Sequence, residues 1–224
     1  MTQEKPFRKS GPGNPPGTGM IGVFITFEGC EGSGKTTQVD MLRDHLASLG
    51  HEVVVSREPG GTPLGEKIRE VLLDPCYEGM SPVAEALLFA ADRVQKIQEV
   101  IKPALANGWV VIGDRFVDSS LAYQGVGRGV GIEAVKNLNE WATGELQPTL
   151  TFYLDVAVKQ AMARKSREEP DRMEKESVEF HENVRHAYGL LAKIFSHRIV
   201  VLDATASRQQ IHSNVVHEVD KLVL

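Results

Sequence analysis

An eight-residue glycine-rich segment constrains this chain most strongly. Gly29-Cys30-Glu31-Gly32-Ser33-Gly34-Lys35-Thr36 fits the pattern G-x-x-x-x-G-K-[ST] of phosphate-binding loops. The apolar, β-branched run 21–27 precedes it and predicts a buried strand, and Val39, Leu42, Leu46 and Leu49 follow it at helical spacing. A glycine-rich turn without a ligand is the alternative, but the strand before and the helix after the segment favour a phosphate site.

The residue types of this loop match the chemistry of phosphate binding. Glycines let the backbone turn sharply and bring its N–H groups close to an anion. The following helix directs the positive end of its dipole at the same point. Lys35 would reach the β- and γ-phosphates of a nucleotide, and the Thr36 hydroxyl would ligate magnesium.

Composition indicates a globular enzyme of one large domain or two small ones. The chain has 224 residues, 42% of them hydrophobic, and a formal charge of −5, which argues against general nucleic-acid binding. Cys30 and Cys76 are too few for a disulfide framework or a zinc site, and no apolar run could span a membrane. We expect a cytoplasmic protein with a disordered tail over 1–20 and one domain over 21–224. A functional basic arm is the alternative for the tail.

Four further strands are predicted, over 51–56, 109–113, 150–155 and 198–202, and helical patterns separate them. This alternation predicts an α/β fold with a five-stranded parallel sheet covered by helices on both faces. Ligands of such sheets bind where the strands end. Arg57 and Glu58 follow the second strand, and Asp114 and Arg115 follow the third. Asp114 is placed to hold magnesium and Arg115 to clamp a phosphate, with a strand-end salt bridge as the alternative.

A long helix is predicted from Ser81 to about residue 107. Ser81 and Glu85 resemble a capping box, and Leu88, Ala91, Val94 and Ile97 are expected to face the core. Phe89 and Arg93 lie one turn apart and form a candidate base-binding pair. Core packing of the Phe and a solvated Arg are the alternatives.

Two further polar segments are candidates for binding. Ser120, Tyr123 and Gln124 lie on a short predicted helix, where the amide of Gln124 could pair with a base edge, although such a helix is more often surface. Residues 164–172 are rich in arginine and acids, a pattern usually found on solvated faces. A helix is predicted from about 174 to 196, and another over about 207–222.

The chain from Gly22 onward resembles thymidylate kinase of the bacterial type. The likeness rests on F-E-G-x-E-G-S-G-K-T-T, R-E-P-G-G-T, A-L-L-F-A-A-D-R, D-R-F-x-D-S-S-x-A-Y-Q-G and D-R-x-E, which occur in that order. The family has a P-loop nucleoside monophosphate kinase fold and converts dTMP to dTDP with ATP and magnesium, in the pathway to dTTP. The resemblance also implies a homodimer.

Residue roles follow from this resemblance. Residues 29–36 would cradle the ATP phosphates. Phe89 would stack on thymine, while Arg93 and Gln124 would bond its edge and Ser120 would lie beside them. Tyr123 would lie against the sugar, and Arg115 and Arg69 would face the monophosphate. Arg57 and Glu58 would lie near the acceptor, Thr36 and Asp114 at the metal, and a lid over about 164–173 would close on ATP.

The resemblance also locates a transition-state arginine. Some family members carry a basic residue after the acidic one in the loop, but here Glu31 is followed by Gly32. An arginine on the transferring phosphate contributes about 10³–10⁵ in rate, so we expect the lid to supply it. Arg167 is the first candidate and Arg164 the second, and an arginine introduced at Gly32 is expected to restore some rate when Arg167 is replaced by alanine. Glu31 would hold the acceptor sugar or its water.

Two other functions remain open from the sequence. Another nucleoside or nucleotide kinase would share most of these motifs. A regulatory GTPase-like switch would share the loop, but it would require an N-K-x-D segment, which the chain lacks.

Overall fold

A five-stranded parallel sheet lies at the centre of the structure, a computed structural model that describes residues 22–164 and 170–223. The strands are β1 (Val23–Glu28), β2 (Val53–Arg57), β3 (Val110–Asp114), β4 (Leu150–Asp155) and β5 (Ile199–Asp203). Their order is β2-β3-β1-β4-β5, and every pairing is parallel. The predicted five-stranded parallel sheet is confirmed. The predicted tail over 1–20 and the candidate Arg167 lie outside the described residues.

Helices cover both faces of the sheet. They are α1 (Lys35–Ser48), α2 (Pro63–Leu73), α3 (Pro82–Lys96), α4 (Lys102–Ala106), α5 (Val117–Ser120), α6 (Ile132–Thr143), α7 (Val158–Ala163), α8 (Val178–Ile194) and α9 (Arg208–Val223). π-helical segments continue α3 through Ile97–Ile101 and α5 through Leu121–Gly127.

Alternating strand residues divide the core into two faces. Ile25 and Phe27 of β1 pack on the face covered by α1 and α9, which contribute Leu42 and Val215 among others. Phe24 points to the opposite face. This alternation is what a sheet buried on both sides requires, because successive side chains of a strand point in opposite directions.

Helix α3 buries a different face from the one predicted. Ala91 is exposed and Leu88 and Val94 are only half-buried, while Asp92, Arg93 and Lys96 are almost completely buried. The reason is that this helix packs its polar face beneath the loop after β2, where ion pairs replace apolar contacts. Only Ile97 was predicted correctly as a core residue.

The predicted capping box at the start of α3 is wrong. The Ser81 side chain makes no capping hydrogen bond, and the Glu85 carboxylate is fully buried against Arg128 and Arg172 instead. The helix predicted from about 174 begins at Val178, because the Ser177 hydroxyl accepts from the Phe180 N–H and fixes the start there. Helices α6 and α7 were not predicted.

Candidate active site

The glycine-rich loop has the shape of an anion cradle. Gly29, Gly32 and Gly34 all have positive φ, which glycine adopts without strain. The Lys35 ammonium donates to the carbonyls of Gly29 (3.1 Å) and Cys30 (3.0 Å), and burial lowers the pKa of Lys35. The buried Ser33 hydroxyl has no hydrogen-bond partner among the described residues. A phosphate in the cradle would give both side chains an anionic acceptor.

The residues expected at the metal are in contact. The Thr36 hydroxyl at the start of α1 donates to an Asp114 carboxylate oxygen at the end of β3, at 2.9 Å. Both are hard oxygen donors, which suit Mg²⁺. Within 22–164 and 170–223 no cluster of three or more His, Cys, Asp or Glu residues could hold a metal. The two oxygens of Thr36 and Asp114 match the one or two protein oxygens that magnesium commonly takes, with water and phosphate completing its shell.

A cavity beside the loop brings together most of the residues predicted to bind the acceptor. Its lining includes Glu31, Glu58, Arg69, Phe89, Arg93, Arg115, Ser120, Tyr123 and Gln124. Arg57 is not part of the lining, and its guanidinium lies 3.4 Å from Glu66. The cavity also includes residues that were not candidates for the acceptor, namely Pro59, Leu73, Ser119, Asp171, Met173, Glu174 and His181. Asp171 and Met173 belong to the lid segment that was predicted to close on ATP.

Arg115 connects the cavity with the phosphate loop. Its guanidinium donates to the Gly29 carbonyl (2.9 Å) and the Ser119 hydroxyl (3.2 Å), and it forms an ion pair with Glu31. It also lies over the Tyr123 ring, 5.3 Å from the centroid. Its backbone has φ of 75°, a left-handed conformation that is strained for a residue with a side chain. This strained turn holds the Arg115 guanidinium between the phosphate loop and the cavity, where the two predicted substrates would meet.

Glu28 supports this strained turn, and sequence reasoning missed it. The Phe116 N–H donates to its carboxylate at 2.8 Å, and the hydroxyls of Ser119 and Tyr188 lie 2.6 and 2.9 Å from it. Burial, reinforced by the charge of Asp118, raises the pKa of Glu28 to about 7. An acid at the end of an otherwise apolar strand was the available signal.

Arg93 lines the cavity, but its guanidinium is already hydrogen-bonded to other residues of the protein. Its five N–H groups meet Glu58, Ser120, Asn139 and the Phe116 carbonyl. A base carbonyl would therefore have to replace or share one of these acceptors. The ion pair with Glu58 also explains why both charges are buried, since an unpaired buried charge is strongly unfavourable.

The predicted lid arginines are in different places. The Arg164 guanidinium donates to the Ala204 carbonyl at 2.9 Å and lines a second cavity together with Ser33, Gly34, Thr37, Gln38 and Arg208. Arg172 is buried, where it donates to Glu85 and the Leu72 carbonyl. Arg167 lies outside the described residues.

The loop has no room for the arginine that was expected to be tolerated at Gly32. A Cβ atom there would lie 2.2 Å from the Ala161 carbonyl oxygen, and the residue has φ of 75°. A backbone atom cannot move aside as a flexible side chain can, so that expectation is wrong for this structure.

Comparison with known proteins assigns the family. The sequence profile of the thymidylate kinase family matches residues 27–215. The chain belongs to the thymidylate kinase family. A thymidylate kinase from Halothermothrix orenii is 50% identical, the match covering 89% of this chain and 97% of that protein. One from Thermoanaerobacter sp. is 46% identical over 90% of this chain and 99% of its own.

A solved structure agrees with this assignment. The crystal structure of thymidylate kinase from Ehrlichia chaffeensis superposes with a TM-score of 0.72 at 34% identity, covering 88% of this chain and 98% of that one. The parallel sheet and the phosphate loop therefore belong to a P-loop nucleoside monophosphate kinase fold. Neither a different kinase nor a GTPase-like switch is favoured. Among the helices of the described residues, none has the length and apolar character to cross a membrane.

Proposed function

We propose that this member of the family transfers the γ-phosphoryl group of ATP to dTMP, giving dTDP and ADP in the pathway to dTTP. The observation that carries the proposal is one cavity beside the phosphate loop whose lining includes Phe89, Gln124 and Arg115. An aromatic face and an amide suit a nucleobase, and a guanidinium suits a phosphate. The cavity thus has both halves of a nucleoside monophosphate site at the edge of the donor site.

The donor side would hold ATP and magnesium. The backbone of 29–36 would cradle the phosphates, and Lys35 would exchange its two carbonyl acceptors for phosphate oxygens. Thr36 and Asp114 would hold Mg²⁺ through their oxygens. When bound, the metal neutralises charge on the phosphates. Arg164, in the second cavity, would lie along the nucleotide.

The acceptor side would orient dTMP for attack on the γ-phosphorus. Phe89 would stack on the base, Gln124 and Arg93 would bond its edge with Ser120 beside them, and Tyr123 would lie against the sugar. Arg115 and Arg69 would hold the monophosphate, and Glu31 would hold the sugar or its water through the carboxylate that now pairs with Arg115. Glu58 acts here through Arg93, which it fixes by an ion pair. We keep Arg167 as the first candidate for the transition-state arginine.

We further propose a cytoplasmic homodimer. Both cysteines are free, in keeping with a reducing compartment. Neighbouring helices α2, α3 and α6 expose large apolar side chains, among them Leu64, Val83, Leu87 and Trp141, the last with 83% of its surface accessible. Light scattering of the wild type and of Leu87→Glu would test this. A monomeric wild type would refute it.

The experiment that tests the activity is ADP release measured across all nucleoside monophosphates. We expect dTMP to be the best acceptor. We expect dUMP to react more slowly but detectably, because a lost methyl group is worth roughly 1–3 kcal/mol. Equal rates with dCMP or AMP would refute the assignment.

A further inference from the structure

Glu85 holds one end of the Gln124 amide. The Gln124 nitrogen donates to a Glu85 carboxylate oxygen at 2.8 Å, and Gln124 lines the acceptor cavity. The two ends of an amide look alike in shape, but a carboxylate only accepts hydrogen bonds, so the nitrogen must be the end that faces it. The amide oxygen is then the end that remains for the cavity.

The negative charge of Glu85 is balanced on its other side. Arg172 donates to it at 2.6 Å, and the Arg128 Nε lies 3.1 and 3.2 Å from its two oxygens. The Glu85 side chain is fully buried and Arg172 is almost fully buried, so little water competes for these bonds. Two guanidinium groups therefore balance the charge of this carboxylate, whose oxygens only accept hydrogen bonds.

We propose that Glu85 is a positioning residue for base selection, because it fixes the Gln124 amide with its oxygen towards the acceptor. This inference rests on the proposed function. A fixed acceptor selects a base whose ring nitrogen carries a hydrogen, as in thymine and uracil. Cytosine presents a ring nitrogen with a lone pair at the same place, and two facing acceptors leave both unpaired. A site that hydrogen-bonds its substrate discriminates strongly against a mismatched analogue for this reason.

The test is Glu85→Gln, which removes the acceptor-only character while keeping the size of the side chain. Its amide can meet either end of the Gln124 amide, so Gln124 can rotate and offer its nitrogen to cytosine. We expect the ratio of kcat/KM for dTMP over dCMP to fall at least about tenfold. The ratio for dTMP over dUMP should stay within about twofold, since both bases carry the ring N–H.

A matched control removes a nearby carboxylate that does not touch Gln124. Glu176 pairs with Nη1 of Arg128, whereas Glu85 accepts from its Nε, so Glu176→Gln should leave both ratios unchanged. In a Gln124→Ala background, Glu85→Gln should no longer alter the dTMP to dCMP ratio. A carboxylate with a purely structural role would lower all rates together and leave the ratios alone.

If Glu85→Gln does not fold, Glu85→Gln combined with Arg172→Met removes an opposite charge with the carboxylate and is measured in its place. An unchanged dTMP to dCMP ratio in the folded variant would overturn the inference, and so would an equal change in the Gln124→Ala background. The activity of the wild type on dTMP separates this result from failure of the proposed function. A wild type that does not phosphorylate dTMP refutes the function, whereas a wild type that does, with an unaltered ratio in the variant, refutes only the role of Glu85.

Discussion

Replacing Phe89 with alanine separates base stacking from core packing. Phe89 lines the acceptor cavity and is only half-buried, so its truncation leaves little new void in the core. Stacking of a base on an aromatic side chain is worth about 1–3 kcal/mol. At about 1.4 kcal/mol per factor of ten, the KM for dTMP should rise roughly 5- to 150-fold. The KM for ATP should stay within about twofold, since Phe89 does not line the cavity that contains Ser33 and Gly34.

Phe152→Ala is the matched control. Phe152 of β4 is fully buried on the face of the sheet that α1 covers. Truncating a fully buried Phe costs about 3–5 kcal/mol of stability, whereas we expect less than about 2 kcal/mol for the half-buried Phe89. Urea unfolding of both variants and of the wild type would measure this difference, and steady-state kinetics would give both KM values.

The opposite pattern would refute the stacking role. If Phe89→Ala loses as much stability as Phe152→Ala while the KM for dTMP stays within twofold, Phe89 is a packing residue. The cavity would then need another aromatic face for the base.

Three further outcomes are expected. Lys35→Ala should keep the circular dichroism of the fold and lose most turnover, because it removes the positive charge that would contact the transferring phosphate. Near-normal turnover would contradict the phosphate-loop assignment. Gly32→Ala should raise the KM for ATP and lower Tm, because its Cβ would collide with the Ala161 carbonyl; unchanged values would contradict the observed loop geometry. Burial raises the pKa of Glu28 from 4.5 to about 7, so the folded protein binds more protons and its stability should fall as pH rises between these values. Urea unfolding of Glu28→Gln should lack this component, and equal pH slopes for wild type and variant would contradict it.

The sequence predicted the sheet and most of the cavity for identifiable physical reasons. Continuous apolar runs mark strands that are buried on both faces, and β4 was predicted with its observed bounds. The ends of neighbouring parallel strands lie at one edge, which brings Asp114 and Arg115 to the phosphate loop. Local pattern and topology sufficed for these residues.

Other features depend on contacts between distant segments, which no local pattern contains. Glu85 and Arg172 are 87 positions apart, and their pairing turned an apparent helix cap into a buried carboxylate. The buried face of α3 was predicted wrongly for the same reason. Arg93 is buried in an ion pair with Glu58, which lies 35 positions away in the sequence. The space around Gly32 is likewise set by Ala161 on another helix.

The buried charges of α3 are explained by the loop above them rather than by stability. A buried ion pair contributes little net stability, because desolvation offsets the attraction between its charges, and well-packed apolar residues often do as well. The loop after β2, however, has backbone groups that need partners away from water. Asp92 accepts from the Gly60 N–H at 3.0 Å, and Lys96 donates to the Arg57 carbonyl. An apolar helix face could satisfy neither group, so this wall of the acceptor cavity would lose its shape. The polar face of α3 is therefore required, because it holds a glycine-rich loop in place. The same face carries Arg93 into the cavity.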